Sequence, residues 1–285
     1  MSDFPKRLAF AVVAAPAVVA LVWLGGAWLA VLLSVASGLA AHEFFALSRD
    51  TGSRPLHAHG VTLAALVPLL VHARTLGLWV PPVSLLMLVV LELLVAALFA
   101  RGSAGKPLEA VGLTLLGVFY TGGMLAFAYG LRYHPYVIGA GAGTALVAFP
   151  LLLTWGTDTG AYAVGRWLGV RKLMPTVSPG KTVAGAVGGL LAAVVIGVIY
   201  ARVALPSWAM VTLRLPVAIG VGALLSVAAQ LGDLVESMFK REVGVKDSSH
   251  LIPGHGGMLD RVDSLLFTLP LGYVLLSWLL VPAPR

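Results

Sequence analysis

The chain has 285 residues, 59% of them hydrophobic and only 11% charged, with a mean hydropathy of +0.95 and a formal net charge of +7. A soluble domain carries about 25% charged residues, so the composition excludes one and indicates an all-α integral membrane protein, a polytopic helical bundle. The absence of cysteine removes disulfides, thiolate metal sites and a thiol nucleophile.

A bilayer core of roughly 30 Å takes about 20 apolar residues per helix. Nine stretches qualify in chain order: Leu8 to Leu24, Ala27 to Leu47, His59 to Ala73, Pro82 to Ala100, Glu109 to Leu131, Gly139 to Leu168, Thr182 to Val203, Leu215 to Lys240 and Val262 to Val281. The first follows Lys6 and Arg7 and runs into the second without a persuasive cleavage site, so it reads as a retained helix rather than a signal peptide. A cytoplasmic N-terminus leaves only Arg74, Arg132, Arg202, Arg214 and Arg285 of the 19 Lys and Arg residues outside, as the positive-inside rule requires. The expected location is the cell (inner or plasma) membrane. The basic excess is then a cytoplasmic-face charge, suited to anionic headgroups or nucleotides and not to nucleic acid.

Acidic residues divide the chain. Residues 1–135 hold scattered single acids and read as scaffold helices. Residues 136–285 hold Asp158, Asp233, Glu236, Glu242, Asp247, Asp260 and Asp263, and read as the catalytic region with its site at the cytoplasmic face. Glu43, beside His42 near a helix end, can reach the interface. Glu92 sits deeper, and a protonated or helix-paired carboxyl is the reading there.

Four segments carry chemistry. In TWGTDTGAYAVGRWLG, Asp158 interrupts an apolar helix, while Gly156, Gly160 and Gly165 permit close approach by a helix or ligand. In SPGKTVAG, Ser178 opens a stretch where Pro179 and Gly180 set a turn, Lys181 supplies a charge and Thr182 caps the following helix, whose N-terminus favours an anion. In AQLGDLVESMFKR, Gln230, Asp233, Glu236 and Ser237 share one polar face for which a cation is the natural partner; hard oxygen donors suit Mg²⁺. In KREVGVKDSSHLIPGHGGMLDRVD, glycines at 254, 256 and 257 can offer backbone N–H groups to an anion, and Asp260 and Asp263 stand one turn apart at a helix start. An acidic pair at a helix N-terminus also suits the dipole, which accounts for one aspartate but not for the whole run.

The run from Ser237 to Asp263 resembles the signature of the phosphatidate cytidylyltransferase family. QLGD at Gln230 to Asp233, D-T-G-A-Y-x-x-G-R at Asp158 to Arg166 and S-P-x-K-T at Ser178 to Thr182 stand in family order, and Glu43 and Phe44 match an E-F pair. Three positions depart from the pattern: Ser249 for glycine, Gly180 for a second lysine and Ala184 for glutamate. They bear on phosphate holding around Lys181 and leave the metal positions intact.

The resemblance implies an enzyme that joins CTP and phosphatidate to give CDP-diacylglycerol and pyrophosphate, using Mg²⁺ as one or two ions, in a homodimer. Asp233, Asp260 and Asp263 are then the expected metal ligands. Lys181, Lys240, Arg241, Lys246 and Arg261 would neutralise phosphates, and Gly256 and Gly257 would seat one. His255 is a phosphate donor or an optional base. Asp158, Ser178, Thr182 and Asp247 would complete substrate binding. Two other readings fit the intramembrane acids: an ion-coupled transporter, disfavoured by the absence of an inverted repeat, and a CTP-dependent enzyme acting on an isoprenoid or ether lipid phosphate.

Overall fold

The computed structural model describes residues 4–249, 251 and 256–283. His255, with His250, Pro253, Gly254 and Arg285 and the side chains of Lys6 and Arg7, lies outside the described residues.

Helices form at every apolar stretch: α1 (Phe4–Leu24), α2 (Gly26–Asp50), α3 (His57–Thr75), α4 (Val83–Arg101), α5 (Pro107–Gly117), α6 (Met124–Arg132), α7 (Ala140–Leu168), α8 (Val183–Ala209), α9 (Leu215–Glu242), α10 (Leu259–Val262) and α11 (Leu265–Leu279). Among the described residues, seven spans are long and apolar enough to cross a membrane: α2, α4, α5 with α6, α7, α8, α9, and α10 with α11. In α3, three histidines and Arg74 dilute the apolar residues, and α1 adds a shorter apolar stretch, Ala14–Leu24.

Two compact units result. The first takes the chain up to Leu21, Gly26–Tyr129 and Glu242–Arg261; the second takes Val22–Gly25, Gly130–Arg241 and the chain from Val262 onward. The segment from Glu242 to Arg261 thus packs with N-terminal helices, although it follows α9 in sequence.

In the first unit α2 packs on α3, and a π-helical segment, Val118–Gly123, joins α5 to α6 and packs on both. The widened π turn places Gly122 where a Cβ would sit 2.5 Å from the Ala64 carbonyl, so α3 and this segment touch backbone to backbone. Ser34 Oγ donates to the Ala65 carbonyl at 2.6 Å, and Leu56 N–H donates to Thr114 Oγ1 at 2.9 Å. Glu92, midway along α4, is helix-paired: one oxygen lies 3.2 Å from His59 Nε2 on α3.

In the second unit α7 and α8 run together along a glycine seam. A Cβ on Gly160 would lie 2.6 Å from Ala192 Cβ, and one on Gly189 would lie 2.7 Å from the Thr157 carbonyl. The three α7 glycines therefore admit a helix. Gly222 of α9 approaches Val194 of α8, and Thr154 of α7 meets Thr268 of α11 at 3.1 Å.

Two short antiparallel pairs complete the unit: β1 (Lys172–Met174) with β2 (Ser178–Thr182), and β3 (Val211–Thr212) with β4 (Val281–Pro282). This corrects the expected turn at Pro179 and Gly180. Both residues lie within β2, opposite an irregularity in β1, and the chain reverses earlier, where Val177 N–H donates to the Met174 carbonyl at 3.2 Å. A two-stranded ribbon tolerates proline because one edge of each strand has no partner.

Candidate functional site

The sequence reads Thr182 as a helix cap, and the structure agrees: its backbone is extended and its Oγ1 accepts the Gly185 N–H at 3.1 Å, closing the first turn of α8. Residues Lys181 and Thr182 thereby stand at the positive end of a 27-residue helix. They form one wall of a cavity of about 410 Å³ whose other walls come from the C-terminal half of α7, with Asp158, Tyr162 and Arg166, and from α9, with Gln230 and Asp233. Arg166 donates to the Tyr162 hydroxyl at 3.0 Å. Ser178, at the far end of β2, is half-buried and is not part of the cavity wall.

The polar face read on α9 holds for Gln230, Asp233 and Ser237 but not for Glu236, and the cation beside Asp233 comes from the protein. Lys181 Nζ lies 2.6 Å from Asp233 Oδ2, and Ser237 Oγ donates to Asp233 Oδ1 at 3.2 Å. Gln230 Nε2 donates to the Ala186 carbonyl at 3.3 Å, tying α9 to α8. Glu236 turns away into the protein and pairs with Lys240 one turn on; both side chains are buried. The Lys240 charge is therefore balanced inside α9 instead of being held out for a phosphate.

Asp263 belongs to the same unit. Gly232, beside Asp233, has no side chain, and a Cβ there would lie 2.7 Å from the Asp263 carbonyl. This close approach brings Asp263 within electrostatic reach of Asp233, Asp158 and Lys240. Its own Oδ1 accepts the Ser264 N–H at 2.6 Å, at the break between α10 and α11.

The first unit holds the remaining expected residues. Asp260 Oδ2 accepts from Ser248 N–H at 3.0 Å, Ser248 Oγ at 2.9 Å and Gly257 N–H at 2.7 Å. The Gly257 amide is thus spent inside its own loop. Asp247, Lys246 and Arg261 are exposed, as is Arg241 in the second unit, whose Nε donates to the Val177 carbonyl at 3.2 Å.

The residue that sequence reasoning leaves in the scaffold is Glu43. Its Oε1 accepts from Ser249 Oγ at 2.7 Å and Met258 N–H at 2.9 Å; its Oε2 accepts from Ser248 Oγ and Leu259 N–H, both at 2.8 Å. Only 2% of Glu43 is exposed, so these four donors replace water almost entirely. The available signal was an acid inside an apolar helix next to Phe44.

Among the described residues no three acidic or histidine side chains form a ready metal cage. Mg²⁺ typically takes one or two carboxylates and completes its octahedron with water and substrate phosphate. The crowding of Asp158 and Asp233 around Asp263 supplies hard oxygens and negative charge, so these residues fit a divalent cation.

In this polytopic bundle, basic and acidic groups gathered at a helix N-terminus are chemically suited to holding an anion such as a phosphate. A profile described as the cytidylyltransferase family matches residues 5–279. The chain belongs to that family and is a nucleotidyltransferase; at the family level this supports CTP-dependent transfer to a lipid phosphate. It is similar to the phosphatidate cytidylyltransferase of Staphylococcus aureus (strain COL), 36% identical over 200 residues that cover 70% of this chain and 72% of the relative. The phosphatidate cytidylyltransferases of Staphylococcus saprophyticus and Staphylococcus haemolyticus are 34% and 33% identical over 220 residues, 76% of this chain and 78% of each relative.

Proposed function

We propose that the protein transfers the cytidylyl group of CTP to phosphatidate, giving CDP-diacylglycerol and pyrophosphate, with Mg²⁺ as cofactor. The observation that carries this reading is the Lys181–Asp233 pair at the N-terminus of α8, where a cation and a carboxylate meet over a cavity of about 410 Å³. The names of the Staphylococcus relatives support phosphatidate as the lipid.

In this reading an oxygen of the phosphatidate phosphate attacks the α-phosphorus of CTP. The bond from that phosphorus to the bridging oxygen breaks, and pyrophosphate leaves with the electron pair. Such transfers depend on positioning and charge neutralisation more than on covalent help, so no protein nucleophile is needed. Lys181, with the α8 N-terminus and Arg166, neutralises the triphosphate. Lys246, Arg241 and Arg261, all exposed, meet phosphate charge arriving from water or the headgroup layer. Asp233, Asp260 and Asp263 would hold Mg²⁺, which supplies charge to the departing and attacking oxygens when bound. Asp158, Ser178 and Thr182 support the nucleotide. His255, which the chemistry does not require as a base, is kept as a phosphate donor.

The same reading gives nine membrane spans with the N-terminus and the site on the cytoplasmic face of the cell membrane, and a homodimer as the working unit. The scaffold role of residues 1–135 is narrowed by Glu43, whose partners lie between Ser248 and Leu259.

Purified protein in detergent should convert radiolabelled CTP and phosphatidate into a chloroform-soluble cytidine lipid, and EDTA should stop the conversion until Mg²⁺ is restored. Folded protein that makes no such lipid from phosphatidate, but does so from an isoprenoid or ether lipid phosphate, would overturn the substrate assignment.

A further inference from the structure

We propose that Glu43 is a positioning residue for the reaction. Carried on α2, its carboxylate sets the backbone of residues 256–260 and, through the Ser248 hydroxyl, the orientation of the Asp260 carboxylate. This inference rests on the reading of Asp260 as a metal ligand.

The geometry is a two-carboxylate clamp closed on one serine. Ser248 Oγ lies 2.8 Å from Glu43 Oε2 and 2.9 Å from Asp260 Oδ2. A serine has a single O–H to donate, so the two acids share one hydroxyl, which links them. Backbone amides complete the clamp: Met258 and Leu259 donate to the two oxygens of Glu43, one each, and Ser248 and Gly257 donate to Asp260. The loop is therefore held from both sides, by an acid of its own helix and by an acid more than two hundred residues earlier in the chain.

The clamp also explains the glycines. A Cβ at Gly257 would collide with Glu43 Oε2 and Ser248 Oγ; one at Gly256, where φ is +78°, would sit 2.6 Å from Asp260 Oδ2. The backbone must close directly onto the two carboxylates, and only glycine permits that approach. The strength of the clamp lies in its acceptors. Because each Glu43 oxygen receives one backbone N–H, a glutamine at this position would set its NH₂ against either Met258 or Leu259 whichever way the amide turned.

Groups that orient a metal ligand from behind typically cost about 10- to 100-fold in metal affinity or activity when removed. A buried acid with a purely structural role would instead lower stability and leave the metal requirement of the folded fraction unchanged. Full-length Glu43→Gln, purified in detergent, separates the two. The expected result is faster hydrogen–deuterium exchange at Met258 and Leu259 with α8 exchange unchanged, an Mg²⁺ concentration for half-maximal turnover raised about 10-fold or more, and a CTP KM near that of the wild type. Wild-type exchange at these amides, or a wild-type Mg²⁺ requirement, overturns the proposal.

If Glu43→Gln does not accumulate, Ser248→Ala decides by the same readings. It removes the shared hydroxyl while leaving the Met258 and Leu259 bonds to Glu43, so the Mg²⁺ requirement should rise with exchange at those amides nearly unchanged; an unaltered requirement overturns the link to Asp260. Exchange reads the clamp without turnover, whereas wild-type turnover reads the assigned reaction, so failure of one is visible apart from failure of the other.

Discussion

Lys181 and Asp233, 52 positions apart in the chain, are joined by a 2.6 Å ion pair that links β2 to α9 in the wall of the cavity of about 410 Å³. Both side chains are partly exposed, 26% and 33%, so water screens the pair. Pairs of this kind contribute about 0–1 kcal/mol to stability. On the proposed function, the pair matters for holding a triphosphate and not for stability. Lys181→Met should lower kcat/KM about 100-fold or more, as removal of a charge-stabilising donor does, while the melting temperature in detergent stays near that of the wild type. A large loss of thermal stability with little loss of turnover would make the pair structural.

The α7–α8 seam predicts a stability effect. Gly189→Ala places a Cβ 2.7 Å from the backbone carbonyl of Thr157, and a carbonyl in a helix cannot rotate away. The cost should be about 1–3 kcal/mol, as for other overpacked sites, and it should appear as a lowered melting temperature. Gly220→Ala on α9, where a Cβ meets nothing within 4 Å, serves as the control and should change little.

The loop glycines predict a functional effect of another kind. Gly257→Ala drives a methyl into Glu43 and Ser248, so the Asp260 carboxylate loses its seat. Turnover should fall about 10-fold or more, with a smaller change in melting temperature than Gly189→Ala produces. Equal activity of Gly257→Ala and wild type would show that the loop closes differently.

A pH effect comes from His134, in the connection between α6 and α7. Tyr136 N–H donates to its Nδ1 at 3.3 Å, which places the ring proton on Nε2 facing Ser277 Oγ at 2.9 Å; Ser277 in turn donates to the Tyr273 carbonyl at 2.7 Å. A second ring proton would point at the Tyr136 N–H. Burial lowers the pKa of His134 below its ordinary value of 6.5, so the folded protein binds this proton less readily than the unfolded chain. The unfolded state therefore gains protons first as pH falls through about 6.5, and stability drops there by up to about 1.4 kcal/mol per pH unit. The loss levels off once the pH passes below the folded value. His134→Gln should keep the bond to Ser277 and flatten this part of the melting-temperature profile between pH 8 and 5.

Much of the architecture is visible in the amino-acid pattern because membrane helices are local objects. Apolar runs locate the helices, Thr182 before the run at Val183 marks a cap, and Gly156, Gly160 and Gly165 mark where a neighbour comes close. What escapes notice depends on distant or non-periodic features. The widened turn at Val118–Gly123 has no signature in composition. Pro179-Gly180 carries the chemistry of a turn but sits in a ribbon whose reversal is set by residues 175–177. Glu43 resembles any acid near a helix end, because the four donors that give it meaning lie between Ser248 and Leu259. Lys240, legible only as a cation, is already matched by Glu236 a turn away.

The Glu43 clamp has a consequence for biosynthesis. The ribosome delivers α2 to the membrane long before Ser248, Ser249, Met258 and Leu259 have been made, and at roughly 5–20 residues per second that interval is about 10–40 s. Throughout it, the nascent bundle carries a carboxylate whose final ligands do not yet exist. Assembly of the first unit is therefore completed by a segment made more than two hundred residues after Glu43, and proteins truncated before Ser248 should reach the membrane with their earliest helices in place but unable to mature into a stable protein.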